Sequence, residues 1–279
     1  MQGMNQLGHV ILKSGKDQSL MRYHPWVFSG AIKKTKGSFS EGDVVRVYNN
    51  KDQFLGLGHY QPGTIAVRIL SFDDRPINDD FWKERLQQAL DLRKRIGLID
   101  NPGTNVFRLV NAEGDGLPGL IIDYYNGTAV IQAHSVGMYR MIEPFAEILR
   151  ELLGSSLKSV YNKSRASLPH KADVERDEGY LLGVSRDDTV QENDLTFRVN
   201  WTEGQKTGFY IDQRENRQMV RHYAKDADVL NLFGYTGGFS VYAVAGGCKS
   251  VVSVDSSQKA TELAGENMKL NWPGEVQHE

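Results

Sequence analysis

A glycine-rich loop between an apolar run and a helix-like segment is the clearest chemical signal in this sequence. In "DVLNLFGYTGGFSVYAVAGG" the apolar run 228–233 ends at Gly234, and Gly237 and Gly238 begin the next segment. Glycines at such a junction let a ligand lie against the backbone and supply positive φ angles. The amino end of the following helix offers free amides. We therefore expect the loop to bind a nucleotide-like cofactor.

An acidic residue follows the loop where a ribose-binding carboxylate is expected. Asp255 ends the next apolar run, "SVVSVD", about twenty residues after the glycines, and can accept both hydroxyls of an adenosine ribose. The loop reads G-x-x-G-G, whereas dinucleotide-binding loops read G-x-G-x-x-G. S-adenosylmethionine has no phosphate and does not need that spacing, so the pattern favours it over a nicotinamide cofactor. Glycines that serve only strand–helix packing are the alternative.

The segment before the loop, "EGQKTGFYIDQRENR", adds aromatic and charged side chains. They could stack on adenine or bind a methionine carboxylate through cation–π contacts or charged hydrogen bonds. Composition alone favours the simpler alternative, an amphipathic helix capped by Asp212. The predicted cofactor-binding residues are Phe209, Asp212, Arg214, Asn231, Phe233, Gly234, Gly237, Gly238, Asp255 and Ser256.

Basic residues concentrate at the front of the chain, which suits a nucleic-acid partner. Six Lys and Arg stand against one acid in residues 1–36, while residues 226–279 carry three basic and seven acidic residues. One end could then face phosphates although the net charge is −2. Solvated lysines and a core tryptophan are the alternatives. The predicted RNA-binding residues are Lys13, Arg22, His24, Trp26, Lys33, Lys34, Arg165 and Lys171.

Hydrophobic patterning predicts three domains that position these residues. Short apolar runs separated by turn residues over 1–75 are typical of a small all-β module. Residues 76–188 mix helix and strand patterns, with one helix starting at Gly137 and a long loop over 164–183. Strands and helices alternate over 189–279, which predicts a doubly wound parallel sheet.

A helix over 77–98 is predicted to link the first two domains. Asn78 is a plausible N-cap and Gly97 stands where a helix would stop. Its predicted apolar face comprises Trp82, Leu86, Ala89 or Leu90, and Ile96.

Composition excludes several classes of protein. One cysteine among 279 residues rules out a disulfide framework and a cysteine-based zinc cluster. The seven histidines lack metal-ligand spacing, so no metal is expected. Without an apolar run of membrane length or a signal-peptide pattern, the sequence predicts a soluble cytoplasmic protein that does not bind membranes.

Three segments resemble, in order, a bacterial family of class I methyltransferases that methylate C5 of cytosine in 23S ribosomal RNA. "RYHPWVFSGAI" is similar to the opening of the family's PUA domain, an RNA-binding β-barrel. "RLVNAEGDGLPGLIIDYYNG" is similar to its central α/β domain, and "GQKTGFYIDQRENR" with "VLNLFGYTGGFSVYAVAGGCKSVVSVDSS" to its Rossmann-like methyltransferase domain. The resemblance implies S-adenosylmethionine as the cofactor and ribosomal RNA as the partner, with a homodimer as a further option.

The resemblance also implies a mechanism. A cysteine thiolate attacks C6 of a flipped cytosine, and C5 takes the methyl group from S-adenosylmethionine; a base then removes the C5 proton and the cysteine is released. The family's catalytic cysteine lies late in the methyltransferase domain, whereas Cys248 lies early, in "AGGCKSVVSV", where a cysteine usually acts as a small hydrophobe. We therefore expect only the first half of that domain, a chain that looks truncated at its C-terminus, and no catalytic residue. The alternatives are a non-catalytic RNA-binding protein and a methyltransferase that acts on another RNA base.

Overall fold

The computed structural model describes residues 7–169, 172, 174–175, 177–185, 188–274 and 278. Contacts divide the chain into two compact units, one made of Met1–Arg93, Leu109–Asp123 and Thr128–Val184, the other of Lys94–Arg108, Tyr124–Gly127 and Ser185–Glu279. The predicted domain boundaries at residues 75 and 188 rest on sequence pattern and stay a prediction. Among the described residues, no helix has the length and apolar character needed to cross a bilayer.

A six-stranded sheet forms the first part of the first unit, in the order β2-β6-β5-β4-β1-β3. The edge strands β2 and β3 are joined only by the short 3-10 turn Ser29–Ala31, so the sheet must curl until its edges approach each other. This confirms the predicted small all-β module. A short helix, α1 (Gln18–Met21), follows the first strand. The strands are β1 (Gly8–Leu12), β2 (Trp26–Phe28), β3 (Ile32–Lys36), β4 (Val44–Tyr48), β5 (Phe54–Tyr60) and β6 (Ile65–Ser71).

Alternating side chains fill the interior of this curled sheet. On β4, Val45 and Val47 are fully buried, while the residues between and beside them remain partly exposed, as the two-residue period of a strand requires. A Cβ atom on Gly58 would fall 2.3 Å from the carbonyl oxygen of Arg68. Only glycine therefore lets β5 approach β6 this closely.

The predicted helix after the sheet forms as α2 (Asp79–Arg95). The Oδ1 atom of Asn78 accepts a hydrogen bond from the backbone N–H of Phe81 at 3.1 Å, which supports the predicted N-cap. Gly97 has a φ of +74° and follows the last turn, where a left-handed residue commonly ends a helix.

One face of α2 is buried, and its last member differs from the prediction. Trp82, Leu86 and Ala89 are buried, but Ile96 is 59% exposed, because the helix ends before it. Arg93 occupies the last buried turn instead and binds Asp115 with two hydrogen bonds of 2.5 and 2.7 Å. This ion pair, almost fully buried on both sides, fastens α2 to the turn after β7 (Val106–Asn111).

A second sheet has the strand order β11-β10-β9-β8-β7. The single helix predicted from Gly137 is wrong, since two helices form there, α3 (Val136–Tyr139) and α4 (Ile142–Leu153). Pro144 lies in the first turn of α4, where amide groups have no helical partner and a missing N–H is tolerated. The remaining strands are β8 (Leu120–Tyr125), β9 (Thr128–Ala133), β10 (Ser159–Asn162) and β11 (Gly179–Leu182).

Beyond the first sheet, two short strands were missed by the sequence interpretation. The strand β11 lies inside the predicted long loop, and β12 (Thr189–Glu192) forms a hairpin with β13 (Leu195–Arg198). Both missed strands have four residues, which is too short for an alternating pattern to show itself without the partner strand.

The second unit contains the predicted alternation of helices and strands. Strands β14 and β15 pair in parallel, from Asp228 opposite Ser250 to Leu232 opposite Val254, which confirms parallel pairing there. The strand β13, predicted to belong to the same parallel sheet, instead pairs antiparallel with β12 in a separate hairpin. The elements are α5 (Arg214–Tyr223), β14 (Asp228–Leu232), α6 (Gly238–Ala245), β15 (Ser250–Val254) and α7 (Gln258–Asn271).

We expect Asp115→Asn to destabilise the protein by about 3–5 kcal/mol, because it removes the carboxylate that binds the buried guanidinium of Arg93 with two hydrogen bonds. The free energy of unfolding can be measured with urea and tryptophan fluorescence. Glu84→Gln on α2 is the matched control: its ion pair with Arg75 is solvent-exposed, so its loss should destabilise the protein far less. Equal losses in the two variants would contradict this role for the Arg93–Asp115 pair.

Candidate functional site

A cleft of about 440 Å³ lies at the carboxyl ends of β14 and β15. Open α/β sheets bind their ligands at this edge, because the loops that leave the strands diverge there. Of the predicted cofactor-binding residues, those that line the cleft are Phe209, Phe233, Gly234, Gly238, Asp255 and Ser256. The lining residues absent from the prediction are Gln205, Tyr210, Gln213, Arg217, Tyr235, Thr236 and Phe239.

The Asp255 carboxylate is held in place by two backbone amides. Its Oδ2 accepts from the N–H of Tyr235 and its Oδ1 from the N–H of Ser257, each at 2.9 Å. A carboxylate offers about four lone-pair positions, so each oxygen can still accept one further hydrogen bond. This arrangement suits a diol such as the two hydroxyls of a ribose.

The glycines of the loop face the protein at close range. Gly237 has a φ of +74°, and a Cβ there would lie 2.8 Å from the Cβ of Ala264 in α7. A Cβ on Gly238 would lie 3.2 Å from Cδ of Arg217, which itself lines the cleft. The contacts at Gly237 thus support the packing alternative rather than close approach of a ligand.

Positive φ angles occur in the loop, but not at Gly234, where the sequence suggested one. They fall on Phe233 (+57°) and Tyr235 (+47°) as well as on Gly237. Residues with a Cβ adopt this region at a cost of about 1–2 kcal/mol, so the surrounding contacts must hold them. The side chain of Phe233 is 91% exposed at the rim of the cleft, where a flat ring could cover a purine.

Asn231 supports the loop from outside the cleft. Its Nδ2 donates to Oγ of Ser240 at 2.8 Å, and that hydroxyl lies 2.7 Å from Oγ of Ser253. This chain of polar contacts joins β14, α6 and β15 beneath the glycine loop. A direct contact of Asn231 with the cofactor stays a prediction.

Asp212 and Arg214 also lie outside the cleft lining. Asp212 forms an ion pair with Lys206 at 3.3 Å; burial acts to raise its pKa, but the Lys206 ammonium outweighs this and the net pKa is lowered. Arg214 donates to Oε2 of Glu192 at 3.2 Å and to the carbonyl oxygen of Val106. Both side chains therefore anchor the segment before α5, and direct binding by either one stays a prediction.

A buried ion pair forms the floor of the cleft. Arg217 donates from Nε to Oε1 of Glu192 and from Nη2 to Oε2, both at 2.8 Å, and both side chains are buried. The guanidinium also lies 4.5 Å from the ring centre of Phe209. Tyr242 adds a hydrogen bond from its hydroxyl to Oε1 of Glu192 at 3.0 Å, and burial together with this carboxylate raises its pKa.

The sequence interpretation missed this network because its members lie far apart along the chain. Glu192 ends the unpredicted strand β12, and Arg217 is one of several arginines in "QRENRQMVR". Arg217 lies four residues before a second basic residue, on a helix whose other face is polar. This spacing is a weak signal that could have singled out Arg217. Only the fold shows that its partner is Glu192.

Three of the predicted RNA-binding lysines lie on, or directly after, the paired strands β3 and β1. Lys33 and Lys34 are exposed on the edge strand β3, where Lys34 pairs with Ile11 of β1. Lys13 directly follows β1, and its Nζ donates to the carbonyl oxygen of Gly30 at 2.9 Å. The β1–β3 edge of the sheet therefore carries a small group of cations.

The other predicted RNA-binding residues have different surroundings. The indole N–H of Trp26 donates to Oε1 of Glu113 at 2.8 Å, and its ring meets that of His24 edge-on at 5.5 Å, so Trp26 has a structural task in any case. Arg22 is exposed at the end of α1, and Arg165 is exposed in the turn after β10. Lys171 lies outside the described residues. RNA contact by these side chains stays a prediction.

Cys248 lies at the far end of β15 from the cleft. The five-residue strand β15 lies between Cys248 and Asp255, and it alone is about 16 Å long at about 3.3 Å per residue. The thiol is partly buried, and this burial raises its pKa. These features agree with the expectation that Cys248 is not a nucleophile.

Comparison with known proteins adds the family context. Residues 10–72 match the family model of a PUA-like domain, and residues 164–276 match that of an S-adenosylmethionine-dependent methyltransferase. Ribosomal RNA large subunit methyltransferase I from Alteromonas mediterranea is 43% identical over 94% of this chain, and its namesake from Pseudoalteromonas atlantica is 40% identical over the same share. The chain spans 66% of the length of each of these curated relatives.

Two solved structures share the fold. One is described as a SAM-dependent methyltransferase from Streptococcus mutans, and it has a TM-score of 0.84 and 23% identity over 97% of this chain and 69% of its own. The other, a methyltransferase complexed with SAH, gives the same score and identity over 97% of this chain and 68% of its own. They confirm the coarser fold prediction, a PUA-like domain followed by a methyltransferase fold with α/β sheets.

We expect Gly237→Ala to destabilise the protein by about 2–4 kcal/mol, since the added Cβ brings both a left-handed φ and a clash with α7. Gly247→Ala, at the other end of α6, is the control: its φ is +82° but no atom lies within 4 Å of the added Cβ. It should cost only about 1 kcal/mol. Urea unfolding of both variants measures the difference, and similar losses would show that α7 yields to the extra methyl group.

Proposed function

Because this chain belongs to the S-adenosylmethionine-dependent methyltransferases and carries a PUA-like domain, we propose that the protein methylates ribosomal RNA of the large subunit. The observation that carries the proposal is the cleft at the ends of β14 and β15, with the Asp255 carboxylate fixed at its edge. Relatives named ribosomal RNA large subunit methyltransferase I support the choice of substrate.

The residues of the cleft fit S-adenosylmethionine. The volume of the cleft lies within the range of about 300–1,000 Å³ that is usual for small-molecule sites. Asp255 would hold the ribose through its free lone pairs, and the exposed ring of Phe233 would cover the adenine. Phe209 and Tyr210 would exclude water from the opposite wall. When bound, this cofactor supplies a methyl group on a sulfonium centre, ready for transfer to a nucleophile.

For the target, we propose C5 of a cytosine, on the resemblance of three sequence segments to enzymes with that specificity. The chemistry needs a thiolate at C6 of the base, and Cys248 does not meet this need, because it lies at the wrong end of β15 and its pKa is raised. A methyltransferase that acts on another RNA base is the second candidate. RNA binding without catalysis is a third.

Asp255→Ala should weaken S-adenosylmethionine binding by about 1–3 kcal/mol, the range for hydrogen bonds to a charged group. Isothermal titration calorimetry measures the affinity. Glu262→Ala is the control, since Glu262 is an exposed acid on α7 and carries the same charge. Thermal unfolding without cofactor separates lost binding from lost folding. Unchanged affinity for Asp255→Ala would remove this carboxylate from the site.

RNA binding should weaken with salt, because lysines that neutralise phosphates release counterions. We expect Lys33→Gln combined with Lys34→Gln to lower the slope of log affinity against log salt by about 1–2, at about 0.7 per phosphate contact on single strands. Lys259→Gln with Lys269→Gln is the matched control on the exposed face of α7. Fluorescence anisotropy with ribosomal RNA fragments gives both slopes. An unchanged slope in the β3 variant would exclude these lysines.

A further inference from the structure

Tyr235 contacts two of the segments that border the cleft. Its backbone N–H donates to Oδ2 of Asp255 at 2.9 Å, and its hydroxyl oxygen accepts from the backbone N–H of Gln205 at 2.9 Å. Its ring meets that of Tyr210 edge-on at 5.3 Å. One residue of the glycine loop thus connects to the end of β15 and to the opposite wall of the cleft. We call residues 205–210 the wall segment.

The hydroxyl of Tyr235 fits closely against the chain that leads into the wall segment. A Cβ on Gly204 would lie 3.0 Å from this hydroxyl oxygen and 2.2 Å from the carbonyl oxygen of Asn200. The backbone at residue 204 can pass between these two oxygens only without a side chain. Burial raises the pKa of Tyr235, so the phenol stays neutral at physiological pH.

The backbone of Tyr235 is strained, which means that its contacts hold it. Its φ of +47° is a left-handed conformation, which is unfavourable for a residue with a Cβ. Such a conformation persists where the surroundings over-determine it, and it is common beside ligand sites. Here the bond to Asp255 and the bond from Gln205 fix the residue from two sides.

We propose that Tyr235 is a positioning residue that holds the wall segment against the glycine loop and so prepares the cleft for S-adenosylmethionine. The proposal rests on the proposed function, since it assumes that this cofactor binds in the cleft. The wall segment carries the rings of Phe209 and Tyr210 that line the cleft. A wall already held in place loses less conformational entropy when a ligand binds.

The test is Tyr235→Phe, which removes one oxygen atom and keeps the ring contact with Tyr210 and the backbone bond to Asp255. We expect S-adenosylmethionine and S-adenosylhomocysteine to bind three- to tenfold more weakly by calorimetry, the effect of one hydrogen bond. Hydrogen exchange at the Gln205 amide should become faster. Tyr223→Phe is the control, because Tyr223 is 74% exposed on α5, and it should change neither quantity.

A further measurement separates positioning from a purely structural role. In the wild-type protein, cofactor binding should slow amide exchange across the wall segment, and in Tyr235→Phe this slowing should shrink while the melting temperature stays near that of Tyr223→Phe. A lower melting temperature with unchanged affinity would overturn positioning and leave only a structural role.

Cofactor binding by the wild-type protein and by Tyr235→Phe distinguishes a failure of the proposed function from a failure of the proposed role of Tyr235. Wild-type protein that binds no S-adenosylmethionine would overturn the proposed function and the role of Tyr235 together. Wild-type binding that Tyr235→Phe matches would overturn only the role of Tyr235. If the variant does not fold, exchange in the wild type decides: an unprotected Gln205 amide refutes the proposal, and a protected one that slows further with cofactor supports it.

Discussion

The buried ion pair between Glu192 and Arg217 is the interaction on which the second unit, which contains the cleft, depends. Removing both charges from water is costly, and only a full set of hydrogen bonds offsets that cost. Arg214, Tyr242 and two bonds from Arg217 supply this set to Glu192. The last residue of β12 is thereby tied to α5 and α6: a shift of α5 would leave a charge unpaired, and a shift of α6 would break the hydrogen bond from Tyr242.

This ion pair also makes the floor of the cleft rigid. Arg217 holds Phe209 by a cation–π contact and donates to the carbonyl oxygen of Tyr210 at 2.9 Å. The wall segment is therefore fixed from below by Arg217 and from across the cleft by Tyr235. Asp255 is fixed in the same way by two amides. Polar groups at the cleft are mostly satisfied within the protein, so a ligand meets an arranged surface rather than one it must organise.

The residues proposed to bind phosphates and those proposed to bind the methyl donor lie in different compact units. The cations on the β1–β3 edge belong to the first unit, while the cleft belongs to the second. If the second unit alone had to bind RNA, its acidic residues would repel the RNA phosphates. If the separate basic surface binds RNA as proposed, the cleft need only recognise a cofactor that carries no phosphate.

The sequence by itself determined the elements whose signals are local. The apolar runs at β14 and β15, the glycines between β14 and α6, and the Asn78 cap of α2 each depend on neighbours a few residues away, and each forms as predicted. The loop and the acid that follows it also directed attention to the correct edge of the sheet. Six of the proposed cofactor residues line the cleft for this reason.

Only the tertiary structure decided which distant side chains meet. Glu192 and Arg217 are separated by 25 positions, and β12 and β11 are too short to be recognised without the strands they pair with. Arg214 and Asp212, predicted to bind the cofactor, make ion pairs outside the cleft lining, while Tyr235 reaches Gln205 across it. Local spacing carries no information about such pairings, because burial and charge satisfaction are settled only when the whole unit packs.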